Sequence, residues 1–157
     1  MNNKKNLYHG GLEAVVIPEI RKSKYTKDFG VGFYCTDLPN QAETWSTKKS
    51  HTGYVTQHLY TKKPDLVYKK FTEDDEWLDF VVDCRQGKPH DYDIVEGSMA
   101  DDKIWNEIDD FVAGDITRAA FWELIKFTKP THQISFHTEK ALQTLKYISE
   151  EIVRRAK

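Results

Sequence analysis

Cysteine is scarce in this chain, which has only Cys35 and Cys84 among 157 residues. Two cysteines cannot build the disulfide framework that stabilises many small secreted domains. Residues 1–6 contain no apolar run of the kind that a secretory signal requires, and no later stretch reaches the apolar length of a membrane span. We therefore expect a cytoplasmic protein that makes no use of a membrane.

Sequence motifs for metal and phosphate binding are also missing. The chain has no CxxC and no HExxH, and Asp28–Gly32 is neither a Walker A loop nor a full GxGxxG. His132 and His137 are five residues apart on one predicted strand, so they should point to opposite faces. Cys35 has no base beside it in the sequence, which disfavours a cysteine nucleophile. We expect no metal site.

The net charge excludes few further classes of binding partner. A formal charge of −2 provides no electrostatic footprint for nonspecific nucleic-acid binding, although a local patch could still serve. The basic stretch Arg21–Lys27 could contact an acidic target or could simply be solvated, and we favour solvation.

Aromatic residues, in contrast, are abundant, with 4 Trp, 8 Tyr and 8 Phe. With 39% apolar residues, a chain of this length can bury a core as one domain spanning residues 1–157. Strand-like and helix-like segments occur without regular alternation and without a repeat, which predicts an α+β fold with a mixed, largely antiparallel sheet core. The predicted strands are 7–11, 54–60, 66–71, 92–97 and 133–137.

Helices are predicted from capping residues and apolar spacing. Pro39 suits the first turn of a helix that runs to about Lys48, with Asp37 as its possible cap. Three further helices are predicted after Thr72 or Asp74, after Ala100 and after Ile116 or Thr117. Thr138 is expected to cap a closing helix that continues to about Ala156. Its inward-facing residues would be Leu142, Leu145, Ile148 and Ile152.

Three separated motifs carry the functional interpretation: Tyr8-His9-Gly10, the stretch from Asp28 to Asp37, and Gln133-Ile134-Ser135-Phe136. Taken singly, each is more often a structural strand edge. In this order they resemble the ADP-ribosyltransferase superfamily, in the branch of poly(ADP-ribose) polymerases and diphtheria toxin. Gly30-Val31-Gly32-Phe33-Tyr34-Cys35-Thr36-Asp37 is similar to the segment that forms a wall of the nicotinamide pocket in that branch. The resemblance implies the split-sheet α+β core of these enzymes.

The chain also resembles a bacterial family of unknown function within that superfamily. Five motifs match it in order: Tyr8–Gly10, Asp28–Thr36, Asp75–Phe80, Tyr92–Asp102 and Gln133–Thr138. Some members of that family lie beside a small partner gene, as toxins lie beside antitoxins. This resemblance implies a toxin-like enzyme with a possible small antitoxin protein as its partner.

The resemblance also implies roles for individual residues. His9 would hydrogen-bond a ribose hydroxyl of NAD+, and the backbone of Gly10 would hold the nicotinamide carboxamide. Gly32 would contribute to the pocket wall, while Tyr34 and Trp45 would stack on the nicotinamide ring. NAD+ would be the substrate, and ADP-ribose would pass to a cytoplasmic macromolecule with release of nicotinamide.

Gln133 departs from the family pattern, because active poly(ADP-ribose) polymerases have glutamate there. Glutamine forms hydrogen bonds but cannot act as a general base. Asp101, Asp102 or Glu139 could supply a carboxylate, although each also suits helix capping. His9, Tyr34 and Gln133 are the expected catalytic residues. The alternatives are an NAD+ or ADP-ribose binding module with little activity and an NAD+ glycohydrolase, in which water is the acceptor.

Overall fold

The computed structural model of the chain describes residues 3–21 and 27–155, so most of the basic stretch Arg21–Lys27 lies outside the described residues. Seven strands and five helices lie within these ranges. In chain order they are β1 (Lys4–Gly11), β2 (Phe33–Cys35), α1 (Pro39–Ser46), β3 (Thr52–Thr61), β4 (Tyr68–Lys70), α2 (Asp75–Arg85), β5 (Ile94–Gly97), α3 (Asp102–Val112), α4 (Arg118–Ile125), β6 (Gln133–Phe136), α5 (Glu139–Leu142) and β7 (Leu145–Arg154).

The strands form two sheets. One is antiparallel with the order β1-β3-β7, and the other has the order β2-β6-β5-β4 with a single parallel pair, β4 with β5. Tyr8 and Thr36 exchange two backbone hydrogen bonds of 2.8 and 2.9 Å, which connect β1 to the end of β2. The predicted α+β class with a mixed, largely antiparallel sheet core is confirmed. No helix of the described ranges has the length and apolar character needed to cross a membrane.

Capping residues place most helices where the sequence predicted them. The side chains of Asp74, Asp101 and Thr117 accept hydrogen bonds from the first turns of α2, α3 and α4. The predicted cap of α1 is wrong, since Leu38 occupies that position without a side-chain bond. Asp37 instead forms an ion pair of 2.6 Å with Lys5.

The predicted closing helix is also wrong. Thr138 does cap a helix, but α5 ends at Leu142 and the chain continues as β7. Ile148 and Ile152 are 45% and 58% exposed, so they do not face a core. The apolar residues of this segment recur at spacings of three and four, which suits a helix. As a strand, however, the segment pairs with β3 and satisfies backbone groups that would otherwise be unpaired at the edge of the sheet. The tertiary hydrogen bonds decide the outcome.

Two apolar clusters hold the sheets and helices together. Helices α2, α3 and α4 pack on one face of the four-stranded sheet around Phe29, Trp77 and Phe121. The second cluster lies between the two sheets and includes Leu7 and Phe136. Adjacent residues of β2 point to opposite faces, as the pleat requires. Phe33 therefore joins the second cluster while Tyr34 packs against the first.

Helix α1 lies unusually close to the three-stranded sheet. A Cβ atom at Gly10 would overlap the carbonyl oxygen of Ala42, and one at Gly53 would overlap that of Ser46. Both neighbouring atoms belong to the helix backbone, which cannot move aside as a flexible side chain could. The two glycines therefore allow α1 to sit directly on β1 and β3.

The variant Gly53→Ala is expected to lower the free energy of unfolding by about 1–3 kcal/mol, because the added methyl group forces α1 away from the sheet. Gly11→Ala is the matched control. Its Cβ atom would lie 3.5 Å from the nearest heavy atom, an ordinary contact. Urea unfolding of both variants checks the prediction, which fails if they lose equal stability.

Candidate functional site

A cavity of about 580 Å³ opens where the ends of β1, β2 and β6 meet α1, α2 and α3. Five of the six site residues predicted from the sequence line it: His9, Gly10, Tyr34, Trp45 and Gln133. The other lining residues are Gly11, Leu12, Lys27, Asp28, Lys48, Lys49, Arg85, Met99, Ala100 and Trp105. The fold thus gathers three separated motifs around one space.

The ring of His9 is held in one orientation. Its Nδ1 lies 2.7 Å from the carbonyl oxygen of Tyr34, and its ring stacks on Phe33 with centroids 4.3 Å apart. A carbonyl only accepts, so Nδ1 carries the proton and Nε2 of the neutral ring is an acceptor. Burial lowers the pKa of His9, and the charge of Lys27 adds to this effect, which favours the neutral form. His9 can therefore accept a hydrogen bond from a ligand hydroxyl.

The backbone of Gly10 also faces the site. Tyr8 hydrogen-bonds Thr36 on the edge of β1 that points away from β3. Backbone groups alternate between the two edges of an antiparallel strand, so the N–H and C=O of Gly10 point to the same edge as those of Tyr8. On the C-terminal side of the Tyr8–Thr36 hydrogen bonds, β1 borders the cavity. The donor and acceptor of one glycine are thus available to a planar amide.

Tyr34 contributes its ring rather than its hydroxyl. The hydroxyl donates to the carbonyl oxygen of Gly30 at 2.6 Å and accepts from the N–H of Phe29 at 3.0 Å. Burial raises the pKa of Tyr34 well above its usual value, so the phenol stays protonated. Tyr34 therefore fixes the turn at Phe29–Gly30, and its ring, together with half-buried Trp45, remains for stacking.

Gly32 is the predicted site residue that the structure places elsewhere. It lines a separate cavity of about 340 Å³ beside His90 and His137. A Cβ atom at this position would lie 2.7 Å from Nδ1 of His137 and 2.8 Å from the carbonyl oxygen of Phe136. The absence of a side chain at Gly32 allows this loop to pack against the end of β6.

Gln133 is 4% exposed and belongs to a polar group that the sequence did not suggest. Its Nε2 donates to Asp28 Oδ2 at 3.0 Å and to the carbonyl oxygen of Ser98 at 3.2 Å. Asp28 is itself buried and forms an ion pair of 2.5 Å with Arg85. The guanidinium of Arg85 also lies over the ring of Trp105.

The carboxylates considered from the sequence have other surroundings. Asp101 caps α3 by accepting from the N–H of Ile104 at 3.0 Å, and Glu139 is exposed in the first turn of α5. The side chain of Asp102 lies outside the described part of the structure. Asp28 is the carboxylate that lines the cavity among the described residues. Its place at the start of the glycine-aromatic stretch was the signal that could have identified it.

Positive charge dominates the described cavity lining. Lys27, Lys48, Lys49 and Arg85 face one carboxylate, Asp28, which leaves three net positive charges while His9 is neutral. The chain as a whole has a net charge of −2, so this cavity differs in sign from the average surface. An anionic ligand would be attracted to it.

A second polar cluster lies near the start of β6. Oxygen or nitrogen atoms of Asp37, Glu96 and His132 lie within 4.8 Å of one another, a grouping that the sequence did not suggest. The ammonium of Lys5 lies 2.6 Å from Asp37 and 3.7 Å from Glu96, so a metal ion here would have to displace it.

Hydrogen bonds further stabilise this cluster. Burial acts to raise the pKa of Glu96, but hydrogen bonds with His132 and Tyr68 outweigh it and lower that pKa to about 2. The main chain of His132 also bonds both ends of the Gln41 amide, at 2.6 and 3.1 Å. The cluster therefore fixes the chain immediately before Gln133.

Comparison with curated proteins gives no match. A family model described as "Protein of unknown function (DUF3990)" matches residues 5–147, which is most of the chain. The chain therefore belongs to the DUF3990 family, whose function is unknown.

Proposed function

We propose that this protein is an NAD+-dependent ADP-ribosyltransferase. The observation that carries the proposal is the convergence of His9, Gly10, Tyr34, Trp45 and Gln133 on one cationic cavity of about 580 Å³. Volumes of about 300–1,000 Å³ are usual for small-molecule sites. Aromatic rings, a fixed acceptor, a free strand edge and net positive charge together suit a dinucleotide with an uncharged amide at one end.

The lining residues suggest how NAD+ would bind. The nicotinamide carboxamide would pair with the N–H and C=O of Gly10, and the ring would stack on Tyr34 and Trp45. Nε2 of His9 would accept from a ribose hydroxyl. The lysines at the cavity would attract the two negative charges of the diphosphate.

The reaction would break the bond between the ribose C1′ atom and the nicotinamide nitrogen. Nicotinamide leaves as a neutral molecule with the bonding electron pair, and the ribose acquires oxocarbenium character. An acceptor nucleophile then forms a bond to C1′ and gives up its proton to solvent water. The acceptor would be a cytoplasmic macromolecule, and a small antitoxin protein is the proposed partner of such a toxin-like enzyme.

One observation favours a second candidate, an NAD+ or ADP-ribose binding module. Gln133 is neutral, and the carboxylate of Asp28 is already paired with Arg85. Neither is a free general base for an acceptor. NAD+ glycohydrolysis, with water as the acceptor, is the corresponding enzymatic alternative.

Isothermal titration with NAD+, followed by an assay of nicotinamide release, tests these functions one after the other. We expect NAD+ to bind and nicotinamide to be released, with labelled ADP-ribose appearing on a macromolecule when cell lysate is added. Binding without release would favour the binding module, and release without labelling would favour the glycohydrolase. Absence of NAD+ binding would contradict both enzymatic functions, and absence of ADP-ribose binding in a parallel titration would also contradict the binding module.

The variant His9→Ala is expected to weaken NAD+ affinity about 10–100-fold, because it removes an oriented acceptor for the ribose. The affinity of the wild type should also fall on acidification below the usual histidine range, since a protonated ring has no acceptor. His51→Ala, an exposed histidine outside the cavity, is the control and should bind like the wild type. Equal affinities of the two variants would contradict the assigned role of His9.

A further inference from the structure

The buried carboxylate of Asp28 accepts four hydrogen bonds from three residues. Its Oδ1 accepts from Nε and Nη2 of Arg85 at 3.2 and 2.5 Å. Its Oδ2 accepts from the N–H of Ala100 at 2.8 Å and from Nε2 of Gln133 at 3.0 Å. The four donor nitrogens belong to three residues, and only an ionised carboxylate can accept from all four.

This arrangement determines which end of the Gln133 amide faces the cavity. Both contacts of Nε2 are with groups that only accept, the Asp28 carboxylate and the Ser98 carbonyl. The opposite amide orientation would place Oε1 against two acceptors and is therefore excluded. Both amide protons are used in this way, so Gln133 offers its carbonyl oxygen as its remaining hydrogen-bonding group.

We propose that Asp28 is a positioning residue that makes Gln133 present the acceptor Oε1 to the ligand. The inference rests on the proposed function and deepens it, because it assigns to Gln133 a ligand group that donates a hydrogen bond, such as a ribose hydroxyl. It also explains why glutamine rather than glutamate occupies this position. A second carboxylate at position 133 would face Asp28 and the Ser98 carbonyl with no proton between them.

The charges around position 133 support this explanation. Among the described residues, the charged and titratable groups that line the cavity are His9, Lys27, Asp28, Tyr34, Lys48, Lys49 and Arg85. Asp28 is the one that hydrogen-bonds Gln133, and Arg85 is held on the other oxygen of that carboxylate. A carboxyl group introduced by Gln133→Glu would therefore meet a like charge at hydrogen-bond distance before it could benefit from Arg85.

The test compares Gln133→Glu, Asp28→Asn and the control Asp93→Asn. Asp93 is also a carboxylate that accepts from a backbone N–H and a side chain, Val67 at 2.8 Å and Thr138 at 2.7 Å, but it lies outside the cavity. Three readouts are needed: NMR of the Gln133 side-chain amide, a carbon-13 titration of the introduced carboxyl, and NAD+ affinity.

In the wild type without NAD+, both Gln133 amide protons should exchange slowly with solvent. Asp28→Asn should speed exchange of the proton bonded to Asp28, whereas the proton bonded to the Ser98 carbonyl keeps its acceptor. In Gln133→Glu, the introduced carboxyl should titrate well above the usual glutamate range. Asp28→Asn and Gln133→Glu should each weaken NAD+ binding about tenfold or more at neutral pH, whereas Asp93→Asn should not. If Asp28→Asn fails to fold, the wild-type amide spectrum and the Gln133→Glu titration remain decisive.

A rapidly exchanging Gln133 amide in the wild type, or an ordinary titration of the introduced carboxyl, would overturn the proposal. Both readouts are made without NAD+. Failure of the wild type to bind NAD+ would therefore contradict the proposed function, and not the pairing of Asp28 with Gln133.

Discussion

Acidification from pH 7 to pH 4 is expected to lower the free energy of unfolding by several kcal/mol. His58 is fully buried between Phe33 and Tyr147, and neither of its ring nitrogens has a hydrogen-bond partner among the described residues. Burial lowers its pKa to about 4, and nearby His9 adds to the shift. Burial likewise lowers the pKa of His137 to about 4.

The sign follows from proton linkage. The folded pKa values lie below the unfolded value of 6.5, so the unfolded chain takes up protons first as the pH falls. The contribution of these two buried neutral histidines to the free energy of unfolding is fully present above about pH 6.5. It is lost progressively as the pH falls towards 4. Each histidine would contribute up to about 3 kcal/mol. Urea unfolding at several pH values measures the loss.

The variant His58→Leu separates this residue from the others. We expect it to be at least as stable as the wild type at pH 7, because a buried polar ring without partners is replaced by an apolar side chain. Its stability should fall by about 3 kcal/mol less between pH 7 and pH 4. Gln57→Leu, a non-titrating neighbour on β3, should keep the wild-type pH dependence. A flat wild-type profile over this range would contradict the prediction.

The second large effect is expected from Arg85→Leu, which should cost about 3–5 kcal/mol of stability. The side chains of Arg85 and Asp28 are 11% and 9% exposed, so removal of the cation leaves a buried negative charge without its ion-pair partner. Burial lowers the pKa of Arg85 to about 10 while Asp28 opposes the shift, and the guanidinium stays charged at neutral pH. Thermal or urea unfolding measures the effect.

A matched surface pair provides the control for Arg85. Arg118 forms ion pairs of 3.4 and 2.9 Å with Asp75 and Asp79, and its side chain is 40% exposed. Arg118→Leu should cost less than about 1 kcal/mol, since water screens such pairs. Arg85→Lys should recover only part of the loss, because an ammonium cannot reproduce the two-nitrogen contact or the stacking on Trp105. Equal costs for the two leucine variants would refute a special role for the buried pair.

Local signals were sufficient for much of the fold. Asp74, Asp101 and Thr117 begin their helices where the sequence predicted, because a cap depends on atoms only a few residues away. The apolar spacing of the segment 145–154 predicts a helix. Its true partner is β3, and no residue within the segment specifies that pairing.

The candidate site divides in the same way. His9, Gly10, Tyr34 and Trp45 were identified from motifs, and the fold brings all four to one cavity. Arg85 carries no local signal, because its partner Asp28 is 57 residues away in sequence. The sequence also raised the question of the missing carboxylate at Gln133 without revealing its neighbour, 105 residues away.

The sequence by itself determined the α+β class, the starts of α2, α3 and α4, and five of the residues that line the candidate cavity, since these depend on side-chain type and short spacing. Only the tertiary structure decided that residues 145–154 form a strand, that Gly32 packs against His137, and that Asp28 joins Arg85 to Gln133. Those outcomes depend on contacts between residues distant in sequence. Such contacts form, and contribute to stability, only when the chain has folded.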